Sequence, residues 1–166
     1  MNADQFYSEF ASRLNVAAWP GQTTGRTHAV IEALREVGEL LAPGCAQYYK
    51  RYPNSGEFIL DFCCIDSHSH EMLLAAESEL SETKVEKVVD DDFQKLVYVK
   101  ASLKVCVFRS EPEEVLARAQ DFLRDYPRHS DAETYIFVRI DWKGKTSGWK
   151  LTVGPDGKMP APVSLS

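Results

Sequence analysis

The chain has 166 residues, 44% of them hydrophobic and 27% charged, enough for about one soluble domain whose core needs no metal or disulfide. Twenty-five acids against 19 lysines and arginines leave a net charge of −6, which argues against a broad basic surface for nucleic acid and against docking on an anionic membrane. An enzyme that reaches phosphates through a bound cation stays open.

Phe6, Phe10 and Leu14 recur every four residues beside Tyr7 and Ala11 and predict a short amphipathic helix that stops near Trp19-Pro20-Gly21. Val30, Leu34, Val37 and Leu41 form one stripe of a second helix, from about Thr27 to Leu41, ended by Pro43-Gly44. A strand-like stretch, Ala46 to Tyr52, closes at Pro53-Asn54-Ser55-Gly56. Glu57 to Ile65 is apolar at both parities and reads as a central strand covered on both faces. After a turn at Asp66 to Ser69, Met72 to Ala76 forms another strand that ends in Glu77-Ser78-Glu79. A helix is expected over Lys84 to Val99, with Thr83 as its N-cap and Val85, Val88, Val89, Phe93, Leu96 and Val99 on one face. Leu103 to Phe108 is a third apolar strand. Ser110-Glu111-Pro112-Glu113 has the pattern of a capping box and opens a helix to about Asp125. Tyr135 to Trp142 and Trp149 to Val153 alternate and predict an antiparallel hairpin.

The order α-α-β-β-β-α-β-α-β-β gives a single α/β domain over residues 1–153, a mixed sheet sandwiched by helices. Residues 154–166 read as a loose tail. No basic region followed by an apolar run opens the chain, and no stretch is long enough to span a bilayer. Cys45, Cys63, Cys64 and Cys106 show no CxxC spacing and are expected as buried reduced thiols in a cytoplasmic protein.

Three acids interrupt sequence that should be buried. Asp61 sits in the most apolar strand, and Glu77 and Glu79 share a parity at the end of the next. An unpaired buried carboxylate is costly, so a neutralising cation is one explanation. Projection at 100° per residue puts Asp92 inside the apolar stripe of the following helix. Lys95 falls at its edge, where the stem packs and the ammonium reaches out.

Asp61, then Glu77 with Glu79, then Lys95 resembles the PD-(D/E)xK nuclease superfamily, with its restriction-endonuclease-like fold. The resemblance lies in Glu57-Phe58-Ile59-Leu60-Asp61, Ala76-Glu77-Ser78-Glu79 and Asp92-Phe93-Gln94-Lys95-Leu96, and the family's α-β-β-β-α-β core matches residues of about 27–108. It implies metal-dependent hydrolysis of DNA or another nucleic acid. Asp61 and Glu77 would hold Mg²⁺ or Mn²⁺, Lys95 would orient or stabilise the nucleophile, and Glu79 would serve a second metal or position water. Two departures stand out: Glu79 occupies the motif's lysine position, with Lys95 displaced to the next helix, and Leu60 stands where the motif has proline.

Each of these residues has a plainer reading. Asp61 could pair with Lys95 or an arginine as a structural ion pair, and Glu77 and Glu79 could be solvated acids at a strand end. A nuclease-fold protein without catalysis, acting as a binding or assembly module, is therefore the second reading; the C-terminal hairpin would offer it an edge and aromatic surface, as in a homodimer. Cys63, Cys64, Asp66, His68 and His70 crowd one window, but their spacing fits no zinc finger. Glu39 projects onto a solvated face with Glu32 and Glu36. Tyr48, Tyr49, Lys50, Arg51 and Tyr52 could touch a nucleic-acid backbone or simply form an edge strand.

Overall fold

The computed structural model describes residues 1–16, 19, 21, 23–49, 59–81, 84–126, 132–154 and 158–165. Helix α1 (Ala3–Val16) is followed by α2 (Thr23–Leu41), then β1 (Ala46–Tyr49), β2 (Phe62–Ile65) and β3 (Met72–Glu79). A π-helix (Lys87–Phe93) continues directly into α3 (Gln94–Tyr98), followed by β4 (Leu103–Phe108) and α4 (Pro112–Asp125). Strands β5 (Glu133–Ile140), β6 (Thr146–Val153) and β7 (Val163–Leu165) complete the order.

All seven strands lie in one sheet in sequence order. β1, β2 and β3 form an antiparallel meander, β3, β4 and β5 run parallel, and β5, β6 and β7 are antiparallel. The two parallel steps require crossovers, supplied by the π-helix with α3 and by α4. Each sheet face carries its own core. On one, Phe6, Phe10, Leu34 and Val37 of α1 and α2 pack on Leu74, Ala76, Val105, Val107 and Ile136. On the other, Val88, Phe93, Leu96, Val115 and Leu123 pack on Ala75, Cys106, Phe108 and Phe137. The mixed α/β sandwich expected from the element order is therefore present. β4 is buried at all six positions, as a strand flanked by parallel neighbours and covered on both faces must be.

Several local expectations change. α2 begins a turn earlier than its apolar stripe, at Thr23. The run from Glu57 is not one strand: residues 59–61 bend, pairing begins at Phe62, and 57–58 lie outside the described residues. Asp61 thus stands just before β2 instead of within a strand. Leu60 is 2% exposed and packs from the bend into the core below the π-helix, which explains its apolar character. Thr83 and residues 50–52 lie outside the described residues. The capping box of α4 does not form: Glu111 is the N-cap, without a side-chain bond, and Ser110 Oγ is buried without a partner. The expected tail contributes β7, which pairs with β6, so the hairpin's outer strand is not the sheet edge.

The cysteines also depart from expectation. Cys45 and Cys64 form a disulfide that ties the start of β1 to β2, with Cα atoms 6.0 Å apart. Gln47 pairs with Cys64 in the sheet register, so the thiols meet through strand pairing that their spacing in sequence did not reveal. Cys63 and Cys106 are free and buried on the opposite face. No helix among the described residues is long and apolar enough to cross a membrane.

Candidate functional site

The parallel order of β3, β4 and β5 brings their carboxyl ends to one edge of the sheet, where open α/β sheets place ligand sites. β2, antiparallel to β3, delivers Asp61 to the same edge opposite the end of β3. Alternation along β3 turns Glu77 and Glu79 toward the helix-covered face that holds Ala75. There the π-helix and α3 present Asp92 and Lys95.

The side chains meet. Asp61 Oδ2 accepts hydrogen bonds from both the backbone N–H and the hydroxyl of Ser78, each at 3.0 Å. The Asp61 N–H donates to Glu77 Oε1 at 3.2 Å. Lys95 Nζ donates to Glu77 Oε2 at 3.1 Å and to Asp92 Oδ1 at 2.7 Å. Glu79 turns away from this cluster toward the strand end, where its Oε1 accepts from the Ser81 N–H at 2.8 Å and the Ser81 hydroxyl at 2.5 Å. Asp61, Glu77 and Lys95 are thus brought into one cluster; Glu79 lies on its rim.

A cleft of about 190 Å³ opens over the cluster. Asp61, Ser78, Glu79, Asp92 and Lys95 line one side, and Thr23, Thr24 and Thr27 of α2 line the other. Glu77 is 1% exposed and lies behind the wall, covered by Lys95. Burial and then the charge of Asp61 push its carboxyl up to about 8, against the pull of Lys95. Burial raises Asp92 in the same sense. For Lys95, burial would lower the pKa, but the bonds and charges of Asp92 and Glu77 outweigh it and hold the ammonium above its ordinary range.

One ammonium therefore serves three neighbouring acids. A cation that displaced the Glu77 proton would offset this crowding of acids, and two carboxylates with room for water match what Mg²⁺ usually takes from a protein. Among the described residues no group of three or more His, Cys, Asp or Glu side chains is arranged to hold a metal ion. The candidate donors are the adjoining pair Asp61 and Glu77; Glu77 Oε1 accepts from the Asp61 N–H and Oε2 from Lys95, so Glu77 could reach an ion only if Lys95 moved off it.

Ser78 was not foreseen in sequence. Its signal is a small hydroxyl residue between two acids, on the strand directly across from a third. Asp66 accepts from the N–H groups of His68 and Ser69 and so builds the turn. With Cys64 in the disulfide, this window is occupied by structural roles. Glu39 is exposed on α2, as projected. Comparison with known proteins finds no matching family model, no matching curated relative and no matching solved structure.

Proposed function

We propose that the cleft at the carboxyl end of β3 hydrolyses phosphodiester bonds in nucleic acid with Mg²⁺ or Mn²⁺ held by Asp61 and Glu77, in the manner of PD-(D/E)xK nucleases. The observation that supports this reading is the meeting of Asp61, Glu77 and Lys95 in one cluster at the sheet edge. Such an ion, when bound, polarises a phosphate and lowers the pKa of a bound water.

The chain's own residues divide the remaining work. Ser78 fixes Asp61 through two bonds to one carboxylate oxygen, leaving the other for a ligand. Lys95 stays charged at neutral pH, so it acts as a hydrogen-bond donor and electrostatic partner to developing negative charge, not as a general base. Asp92 holds Lys95 from the helix side when the lysine leaves Glu77. Glu79, on the rim, positions water.

A second reading, a nuclease-fold module without catalysis, draws on two observations. Glu79 occupies the motif's lysine position, and Lys95 is already bonded to two carboxylates. Calorimetry with Mg²⁺ and Mn²⁺, paired with cleavage of plasmid and single-stranded substrates, separates the two. The nuclease reading expects saturable metal binding lost in Asp61→Ala, and cleavage lost in Lys95→Ala. Absence of heat with either metal would sink it; metal binding without cleavage would favour the module.

A further inference from the structure

We propose that Arg109, flanked by Arg26 and Trp142, forms a phosphate-binding site beside the carboxylate cleft and separate from it. Arg109 follows β4 directly and is 8% exposed. Its Nη1 donates to the Leu80 carbonyl at 3.1 Å. Its Nε and Nη2 are buried with no hydrogen-bond partner. These two atoms share the side-on edge of the guanidinium, the fork that grips two oxygens of one phosphate or carboxylate. Two orphaned donors on a buried cation carry a substantial desolvation cost, which an anion accepting both bonds would remove.

Among the described residues that anion is lacking. Arg109 forms no salt bridge to a carboxylate among the described residues. A second cation, Arg26 of α2, is near: its guanidinium lies 5.4 Å from the Trp142 ring centroid, and that of Arg109 lies 3.2 Å from it. Burial and then the like charge of Arg26 lower the pKa of Arg109. The nearby acids are engaged elsewhere: Glu111, two residues on, pairs with Arg139 at 3.7 Å, and Asp141, beside Trp142, holds the β5–β6 turn, where its Oδ1 accepts from the N–H groups of Lys143 and Lys145. Trp19 packs its ring on Gly144 in that turn, and its Nε1 is a further buried donor without a partner.

Position puts this fork beside the carboxylate cleft. Leu80, whose carbonyl holds Arg109, also lines the cleft, and Arg26 precedes Thr27, which lines it as well. Arg109 and Trp142 follow the carboxyl ends of parallel strands β4 and β5, the same sheet edge as Glu77. Trp142, which stacks over the guanidinium face, is 67% exposed. The inference goes beyond the metal reading and does not require it.

The test uses the ¹⁵N-labelled full chain in EDTA at low salt, titrated with inorganic phosphate and, separately, with a short oligothymidylate. Arg109→Lys and Trp142→Phe identify the two side-chain resonances. Expected is saturable movement of the Arg109 Nε–H and the Trp142 indole N–H on one curve, while the Nε–H of exposed Arg124 stays still. Arg109→Lys, which keeps the charge and loses the fork, should weaken phosphate by about tenfold. Tighter binding of the oligonucleotide on the same resonances would support the site and assign it to a strand's backbone; equal binding would support it as a site for free phosphate. Unmoved Arg109 resonances, movement of Arg124 in parallel, or equal affinity in Arg109→Lys would overturn the proposal. Phosphate binding without Mg²⁺ binding would overturn only the metal reading, and the reverse only this one.

Discussion

Glu77 and Lys95 meet at 3.1 Å across the sheet–helix boundary, the carboxylate 1% exposed and the ammonium 35%. The pair is unequal. Lys95 gains from two acids, whereas Glu77 gains from one shared cation and loses to burial and to Asp61. The cluster is therefore short of positive charge, and that deficit makes its behaviour depend on pH.

Glu77 sets the sign of that dependence. Its carboxyl titrates near 8 in the folded chain against 4.5 as an ordinary glutamate. Between those values the folded state holds a proton that the unfolded state has released. Stability is thus full below about pH 4.5 and falls as pH rises toward 8, by at most about 1.4 kcal/mol per pH unit. Asp92, also raised, adds in the same direction. Urea midpoints measured across this window should decline in the wild type and flatten in Glu77→Gln. Parallel profiles would show that Glu77 does not titrate there.

If the nuclease reading holds, the lysine's place in the chain matters less than where its ammonium arrives. Lys95→Ala should lower cleavage by about a hundredfold or more, the scale of losing one positioned charge at a phosphoryl site. Glu79→Lys in that background restores the motif's own lysine on the strand and should recover part of the rate. The comparison is kcat for the single and double variants, with metal affinity measured in parallel. No recovery with metal binding intact would mean that Lys95 acts from the helix in a way the strand position cannot replace.

Lys104, at 1% exposure, is the most buried cation among the described residues. Its Nζ donates to Glu133 Oε1 at 2.8 Å and to the Tyr135 hydroxyl at 3.1 Å, while that hydroxyl donates to Glu133 Oε2 at 2.8 Å. Burial lowers Lys104 despite Glu133. Glu133→Ala strands the ammonium and should cost about 3–5 kcal/mol in chemical denaturation. Lys104→Met with Glu133→Leu removes both charges and should cost much less. Equal losses in the two variants would show that the triad contributes through packing alone.

The residues that sequence reasoning handled well are those whose period survives folding. β4 and the β5–β6 hairpin follow their apolar runs, and parity on β3 places Glu77 beside Ala75 on the face toward Lys95. The failures have physical causes. Leu60 is apolar because it enters the core from a bend, so Asp61 looked like a mid-strand residue. The π-helical turns spanning Asp90 to Asp92 put more residues in each turn and so reduce the step below 100° per residue, a departure no apolar pattern announces. Lys104 hid inside a fully buried strand because its partners, Glu133 and Tyr135, come from a strand about thirty positions on. Ser78 and the Cys45–Cys64 bridge depend on cross-strand register, which the sequence specifies only after the sheet is assembled.

The Cys45–Cys64 bridge predicts a thiol count. The denatured, unreduced chain should give two reactive thiols, those of Cys63 and Cys106, and four after reduction. The bridge closes a loop of 19 residues, and losing a cross-link of this size typically costs about 2–4 kcal/mol. Cys45→Ser, or wild type in reductant, should therefore unfold at lower urea by a similar amount. Four free thiols without reductant would remove the bridge from the account.

Gly148 tests how α1 sits on the sheet. A Cβ there would lie 2.2 Å from Tyr7 Cε2 and 2.6 Å from Cδ2 and Cζ, well inside van der Waals contact. Tyr7 is 5% exposed and belongs to the α1–α2 core, so its ring has little room to give. Gly148→Ala should destabilise by about 1–3 kcal/mol, the usual cost of overpacking. Tyr7→Ala should cost at least as much through the cavity it leaves. Together the two changes should cost less than their sum, because the clash disappears with the ring. Additive losses in a urea double-mutant cycle would mean that Gly148 is required for the backbone of β6 and not for the approach of Tyr7.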